Sequence, residues 1–539
     1  MHNDLGTIDY IILGIYFILV FAVGLMYSKS QKGTVQHFLA GRNMGWFIIG
    51  TSLFITTVSS EHVIGYAESG YNEGFAAGIF GWGGALTLIL LGWFFIPFYI
   101  RTQVFTMPEF VERRFGKNSG WFVSTFSILI YVITKVAVTL FSGAIFLELL
   151  LGWDKYTSAL VLVILTGIFA VSSGLRGILY THIFHAYVLI ICAVVVTIAG
   201  IYEIGGLEEF TKIPKEHLRV FKPADSPSYP WTGILFGAPI LQIWYWCTDQ
   251  YMVQRVLSAK NISQSRRGAI YGGYLMILPS ILLLVPGLIA YLKFGPSIVE
   301  GKVYFSLVSE VLPVGIKALA IVSLLSALIS SLAACFNSTS TVFALDIYKK
   351  IYPKANEFRI VSVSKLANLV IVIIAIVWIS FMSYFSKDIF KHLQVVQSYI
   401  APPFTAIFLV GLLWSRANGI AAFITLIVGG ILGLSRLGLD IFEGSIKPGS
   451  LLYDIMQINF LHEAGFLFLF YVLLMIVISL LTPKPASIHL RGLTYKYRKE
   501  VDYIDNMPGE EALKWKKQDI ISSIILGIII LSMWIFLML

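Results

Sequence analysis

Apolar runs of about 20 residues recur from one end of the chain to the other, separated by short polar stretches, and about 20 residues is what a helix needs to cross the hydrocarbon of a bilayer. The runs predict about 14 spanning helices, near 8–28, 46–66, 75–100, 120–150, 155–175, 181–202, 230–252, 268–292, 311–347, 360–384, 390–414, 417–436, 462–482 and 519–539. The fold class is all-α integral membrane. The chain reads as one polytopic domain over 1–539: a first helix and loop at 1–45, a core at 46–414, and C-terminal helices at 415–539 that include a polar loop at 483–518.

Composition agrees, since 57% of the 539 residues are hydrophobic and 13% charged, leaving little for a soluble domain. Cys192, Cys247 and Cys335 lie in or beside apolar runs, so neither a disulfide framework nor a CxxC metal site is on offer. The opening MHNDLGTIDY lacks a basic n-region and a cleavage site, so the first run reads as a retained helix.

Charge sets the orientation. Every second loop is basic, as at Lys29, Lys32 and Arg42, at Arg113, Arg114 and Lys117, at Arg266 and Arg267, at Lys349 and Lys350, and at Arg498 and Lys499. Such loops stay cytoplasmic, so an even helix number puts both termini outside. Sparse outer loops and the lack of a transit peptide point to a bacterial-type cytoplasmic membrane. The net charge of +9 then needs no nucleic-acid partner. The loop near 203–229, acidic at Glu203, Glu208 and Glu209, reads as a lid or as a plain connector; the 483–518 loop suits a segment lying on anionic headgroups.

Polar residues inside spans mark either a pathway or a packed interface. In the second span Thr56, Thr57, Ser59, Ser60, Glu61 and His62 replace the apolar residues lipid would favour, and small-residue packing explains the hydroxyls but not Glu61 or His62. In the ninth, Ser323, Ser326 and Ser330 share a face; hydroxyls with carbonyls freed at a helix break could ligate a hard monovalent cation, or the serines could serve close packing. The seventh carries Pro239 and then Gln242, Trp244, Tyr245, Trp246, Thr248, Asp249 and Gln250, where aromatic faces suit a flat solute or an interfacial belt. In the eleventh, Gln394 and Gln397 precede Pro402 and Pro403, predicting a broken or kinked span. Interruptions near 55–66 and 239–250, each early in a run of five spans, fit an inverted-repeat transporter.

The segments WYWCTDQYMVQRVLSAKN (244–261), MPEFVERRFG (107–116), FSGAIF (141–146), FNSTSTVFALDIY (336–348) and QSYIAPP (397–403) occur in the order seen in the sodium/glucose cotransporter family of solute:sodium symporters, which the chain resembles over nearly its whole length. The resemblance implies a leucine-transporter-type core of two inverted five-helix repeats, helices 2–6 and 7–11, with alternating access. It implies a sodium site at the carbonyls of Ile55, Val58 and Ala327 and the hydroxyls of Ser330 and Ser331. It implies substrate contacts at His62, Phe80, Tyr245, Trp246 and Gln394. Thr57 stands where the family has an asparagine, Gly81 where sugar carriers have an acid, Met276 where they have a lysine, and His182 where an aspartate is usual; Gln242 could replace lost contacts.

The expectation is a sodium-coupled symporter importing a sugar-like or polyol-like solute, with sodium as coupling ion and no cofactor. The alternatives are a carrier of a sugar acid or other carboxylate, a proton-coupled carrier through His182, and a transporter-like solute sensor. An enzyme is not expected: no zinc motif, phosphate loop or triad accompanies Glu61 and His62, and His182 with His185 supplies only two ligands for a metal. The partners are the solute, sodium and the bilayer; the oligomeric state is not readable.

Overall fold

The computed structural model describes residues 6–28, 33–299, 301–379, 389–441, 446–501, 503 and 507–537; among them the regular elements are helical and extended pairing is limited to two isolated bridges. Eleven helices among the described residues are long and apolar enough to span a bilayer. The other predicted spans are the short helices Trp46–Thr57 and Lys155–Val171 and a run of short segments between Trp231 and Leu257. Eleven of the fourteen expected stretches thus meet a helix of spanning length, and the other three meet shorter or broken ones. The predicted end of the tenth span, at 380–384, lies outside the described residues.

One expected loop is missing. Lys155–Glu203 runs as 49 helical residues, broken internally at Gly174 (φ 54°, ψ 179°), where two spans with a connector were expected. A straight helix of that length would be about 74 Å, far beyond a hydrocarbon core of about 30 Å. The break at a residue free to take positive φ divides it into two spans without a loop.

The serine-rich helix Ile316–Val342 lies at the centre: 94% of its most apolar window is buried, against 17% for the terminal helix Gly509–Phe536. It packs on Lys155–Glu203, while Trp46–Thr57 packs on Ile262–Leu275. Lipid offers no hydrophobic drive for such contacts, so close approach by small residues supplies the packing. A Cβ at Gly50 would stand 2.6 Å from the Gly268 carbonyl oxygen, so a larger residue there would separate these two helices. Peripheral helices instead turn isoleucines outward, as at Ile8, Ile11, Ile15 and Ile18.

Asp9 Oδ1 accepts from Gly315 N at 2.8 Å, and Trp534 stacks edge-on against Phe221 of the 203–229 segment. That segment forms two single-turn helices, Leu207–Phe210 and Lys215–Leu218, and ties down on Ser60–Glu73: Glu73 pairs with Lys222 and accepts from Ser228 Oγ at 2.6 Å. Two details depart from the sequence reading. Ile389–Leu413 is continuous through Pro402 and Pro403, and the terminal helix begins at Gly509, inside the stretch read as loop.

Candidate functional site

Two spans lose their helical backbone part-way along. The first stops at Thr57 and resumes at Ser60; Val58 (φ −77°, ψ 95°) and Ser59 (φ −108°, ψ −177°) are extended. The second reaches a π turn at Trp244–Thr248, opens at Asp249 (φ −80°, ψ 130°) and resumes at Gln250. Asp249 caps the new helix through Tyr251 N at 3.2 Å and also accepts from Tyr131 Oη. The break therefore sits ten residues after Pro239. That proline opens the helix Ala238–Ile243, where a missing N–H leaves nothing unsatisfied.

The first break faces the serine-rich helix. Ser330 Oγ lies 3.2 Å from the Ile55 carbonyl and 2.9 Å from that of Ala327. Val58 ends its helix with a ψ that takes its carbonyl out of helical register. Ser331 Oγ lies 2.7 Å from Tyr251 Oη, which donates to the Thr56 carbonyl at 2.6 Å. Of the five residues expected to hold sodium, Ile55, Ala327 and Ser330 are in direct contact, Val58 ends the helix beside them, and Ser331 is joined through Tyr251, which ties the cluster to the second broken span. His182 sits one turn below, its Nδ1 2.8 Å from Ser52 Oγ and 3.4 Å from Thr56 Oγ1.

Beside this cluster a cavity of about 30 Å³, room for about two waters, is lined by all seven residues expected to touch substrate: Thr57, His62, Phe80, Gln242, Tyr245, Trp246 and Gln394. Gln242 donates to the Phe80 carbonyl at 3.1 Å and accepts from Trp246 Nε1 at 2.9 Å. The ring of His62 takes Ser59 Oγ at 3.2 Å, and Thr57 Oγ1 returns to the Leu53 carbonyl at 3.1 Å. Met276, at the position where sugar carriers have a lysine, also lines it, with Gln397, Tyr66 and Lys135.

Lys135, in the π turn Tyr131–Val136, places Nζ 3.2 Å from Tyr245 Oη and 3.7 Å from Glu61 Oε1, with the rings of Tyr245 and Tyr251 at 5.1 and 4.8 Å. Glu61 also accepts from Thr139 Oγ1 at 3.0 Å. The pair is buried, so each charge needs the other. The glycine in place of the expected acid has a packing reason: a Cβ at Gly81 would stand 2.1 Å from Ser280 Oγ. Among the described residues no group of three or more His, Cys, Asp or Glu is placed to hold a metal ion.

Residues 37–429 match the model of the sodium:solute symporter family. The chain belongs to the sodium:solute symporter family. This symporter is 35% identical to the rabbit (Oryctolagus cuniculus) sodium/glucose cotransporter 1, covering 94% of this chain and 84% of that one. It is 34% identical to the human sodium/myo-inositol cotransporter, over 97% and 80%. Among solved structures, a sodium-coupled sialic acid symporter in an outward-open state superposes with a TM-score of 0.78 at 22% identity, covering 89% of this chain and 99% of that one. A nucleobase-cation-symport-1 family transporter in a closed conformation superposes at 0.56 and 15% identity, over 86% and 99%. At such identities the likeness speaks for fold, and the fold is the leucine-transporter type.

Proposed function

We propose that this symporter uses sodium to import a neutral sugar-like or polyol-like solute by alternating access. One observation carries the reading: a single unwound turn serves both sites. Ile55, at its start, lies against Ser330, while Thr57 and His62, either side of it, line the cavity. Cargo names of the rabbit and human relatives support sodium with a sugar or polyol.

Sodium would take the carbonyls of Ile55, Val58 and Ala327 and the hydroxyls of Ser330 and Ser331 in place of its hydration shell. Filling that site fixes the unwound turn and with it the solute contacts of Thr57 and His62; closure follows when both sites are filled. Phe80, Gln242, Tyr245, Trp246 and Gln394 complete the solute site. At about 100 mV each sodium contributes about 2.3 kcal/mol, enough to concentrate solute about 50-fold before its own gradient is counted. The inverted repeats over 46–414 form the transport core. The basic loops face the cytoplasm of a bacterial-type cell and both termini face outward.

A second reading, a carrier of sugar acids, draws on Lys135 in the cavity wall. The Glu61 carboxylate at 3.7 Å balances that charge, which favours a neutral solute. Counterflow in proteoliposomes with labelled sugars, polyols and sugar acids, under sodium or a proton gradient, separates the readings. Sodium-dependent uptake of a neutral polyol or sugar is the expected result. Uptake of an acid would install the second reading, and uptake driven by protons alone would remove sodium and turn attention to His182.

A further inference from the structure

Away from the transport site, a recess of about 590 Å³ opens between the terminal helix Gly509–Phe536 and the π turn Leu91–Phe95. Four cationic side chains line it, Arg101, Arg266, Arg498 and Lys516, and among the described residues no carboxylate does. Arg266 is the fixed point. It is 7% exposed, its guanidinium lies 4.7 Å from the centre of the Trp93 ring, and its Nε donates to Asp519 Oδ2 at 2.9 Å. Its Nη2 is buried with no hydrogen-bond partner. A buried guanidinium N–H left unpaired is expensive, and a bidentate anion is the group that satisfies it best.

Asp519 cannot neutralise the recess. Its other oxygen accepts from Arg267 Nε at 2.8 Å, so one carboxylate is shared between two guanidiniums. At the rim, Arg498 stacks 3.8 Å from the centre of the Tyr495 ring and accepts Arg101 Nη1 on its carbonyl at 3.1 Å, which holds both cations at the entrance. The recess continues into surface made for acyl chains. Leu513 in its wall is 56% exposed, and Ile520, Ile521, Ile524 and Ile525 follow it outward-facing along the same helix, while Trp93 Nε1 pins the helix through Ser523 Oγ at 3.0 Å.

We propose that this recess binds the phosphate headgroup of an anionic phospholipid, whose chains lie along the exposed face of the terminal helix. A soluble phosphate would meet the same four cations, but only a lipid uses the apolar surface that continues from them. The proposal rests on the chain lying in a bilayer and is independent of which solute or ion it carries.

Native mass spectrometry of the full chain, released from mixed micelles holding equal phosphatidylglycerol and phosphatidylcholine, tests it. Phosphatidylglycerol is expected to be retained about fivefold or more over phosphatidylcholine, and Arg498→Gln with Lys516→Gln should bring that preference to about twofold or less. Both residues lie at the surface of the recess, and an unchanged melting midpoint in phosphatidylcholine alone shows that the variant is folded. Lys516→Gln by itself serves if the double variant is not. Glycerol phosphate in the micelle buffer distinguishes the sources: the preference should survive it. Equal retention of the two lipids, a preference untouched by the substitutions, or displacement by glycerol phosphate would each overturn the proposal.

Discussion

The Ser330 hydroxyl and the Ile55 carbonyl stand 3.2 Å apart across the point where a spanning helix gives up its hydrogen bonds. A carbonyl at a helix end has no intrahelical donor, so here one side chain of the most buried helix meets one of the freed acceptors. Ser330→Ala removes that oxygen while leaving the packing nearly unchanged. The sodium concentration giving half-maximal uptake should rise about tenfold or more, equivalent to about 1.4 kcal/mol. Uptake titrated against sodium in proteoliposomes checks this; an unchanged half-saturation would move the ion elsewhere.

Gln242 bridges Phe80 and Trp246 beside the cavity. Gln242→Leu leaves the buried Trp246 N–H unpaired, which costs about 1–3 kcal/mol. Solute half-saturation should rise with little change in sodium dependence, the signature of a contact made to solute rather than to the ion.

Glu61 and Lys135 form a buried pair, so breaking it from one side is worse than removing it. Lys135→Met and Glu61→Gln singly should lower the melting midpoint, each leaving a lone charge worth about 3–5 kcal/mol. Combined, they should recover much of that loss. Additive losses in the double variant would mean that the two charges do not depend on each other.

Gly81 leaves no room for a side chain opposite Ser280. Gly81→Ala should destabilise by about 1–3 kcal/mol through overpacking, and Ser280→Gly in the same chain should relieve it. Melting midpoints of the two single variants and the double variant decide the matter.

His37, in the short Thr34–Leu39 helix outside the spans, is buried, and that burial, with Lys365 nearby, pushes its imidazole from 6.5 down to about 4. Between those values the unfolded chain takes up a proton that the folded chain refuses. Stability from this group is therefore complete above about pH 6.5 and declines as pH falls towards 4. A thermal-denaturation series over that window should show a decline that His37→Phe makes shallower.

The polar run from Thr56 to His62 announced the first break because nothing in lipid favours those residues without a pathway or an interface. Pro239 does stand at an interruption, because Trp231–Phe236 ends at Gly237 and a new helix starts at Ala238, whereas Pro402 and Pro403 misled, sitting inside a continuous helix. The second break came from Asp249, whose carboxylate caps the chain that follows, a role a buried acid does not advertise among tryptophans and tyrosines. All seven proposed solute contacts reached one cavity, yet the Glu61–Lys135 pair and the Tyr251 link to Ser331 join residues 74 and 80 positions apart, and spacing along the chain holds no trace of such meetings.

Two of the π turns, Tyr131–Val136 and Trp244–Thr248, carry Lys135, Tyr245 and Trp246 to the cavity wall. A π turn holds one residue more than the α turn it replaces, and one residue is about 100° of rotation about the helix axis. The symporter's inner surface is therefore set by phase as well as by residue type, like the bitting of a key cut one notch further along its blade. Two chains with the same letters, one of them lacking that extra residue, would show the solute different faces.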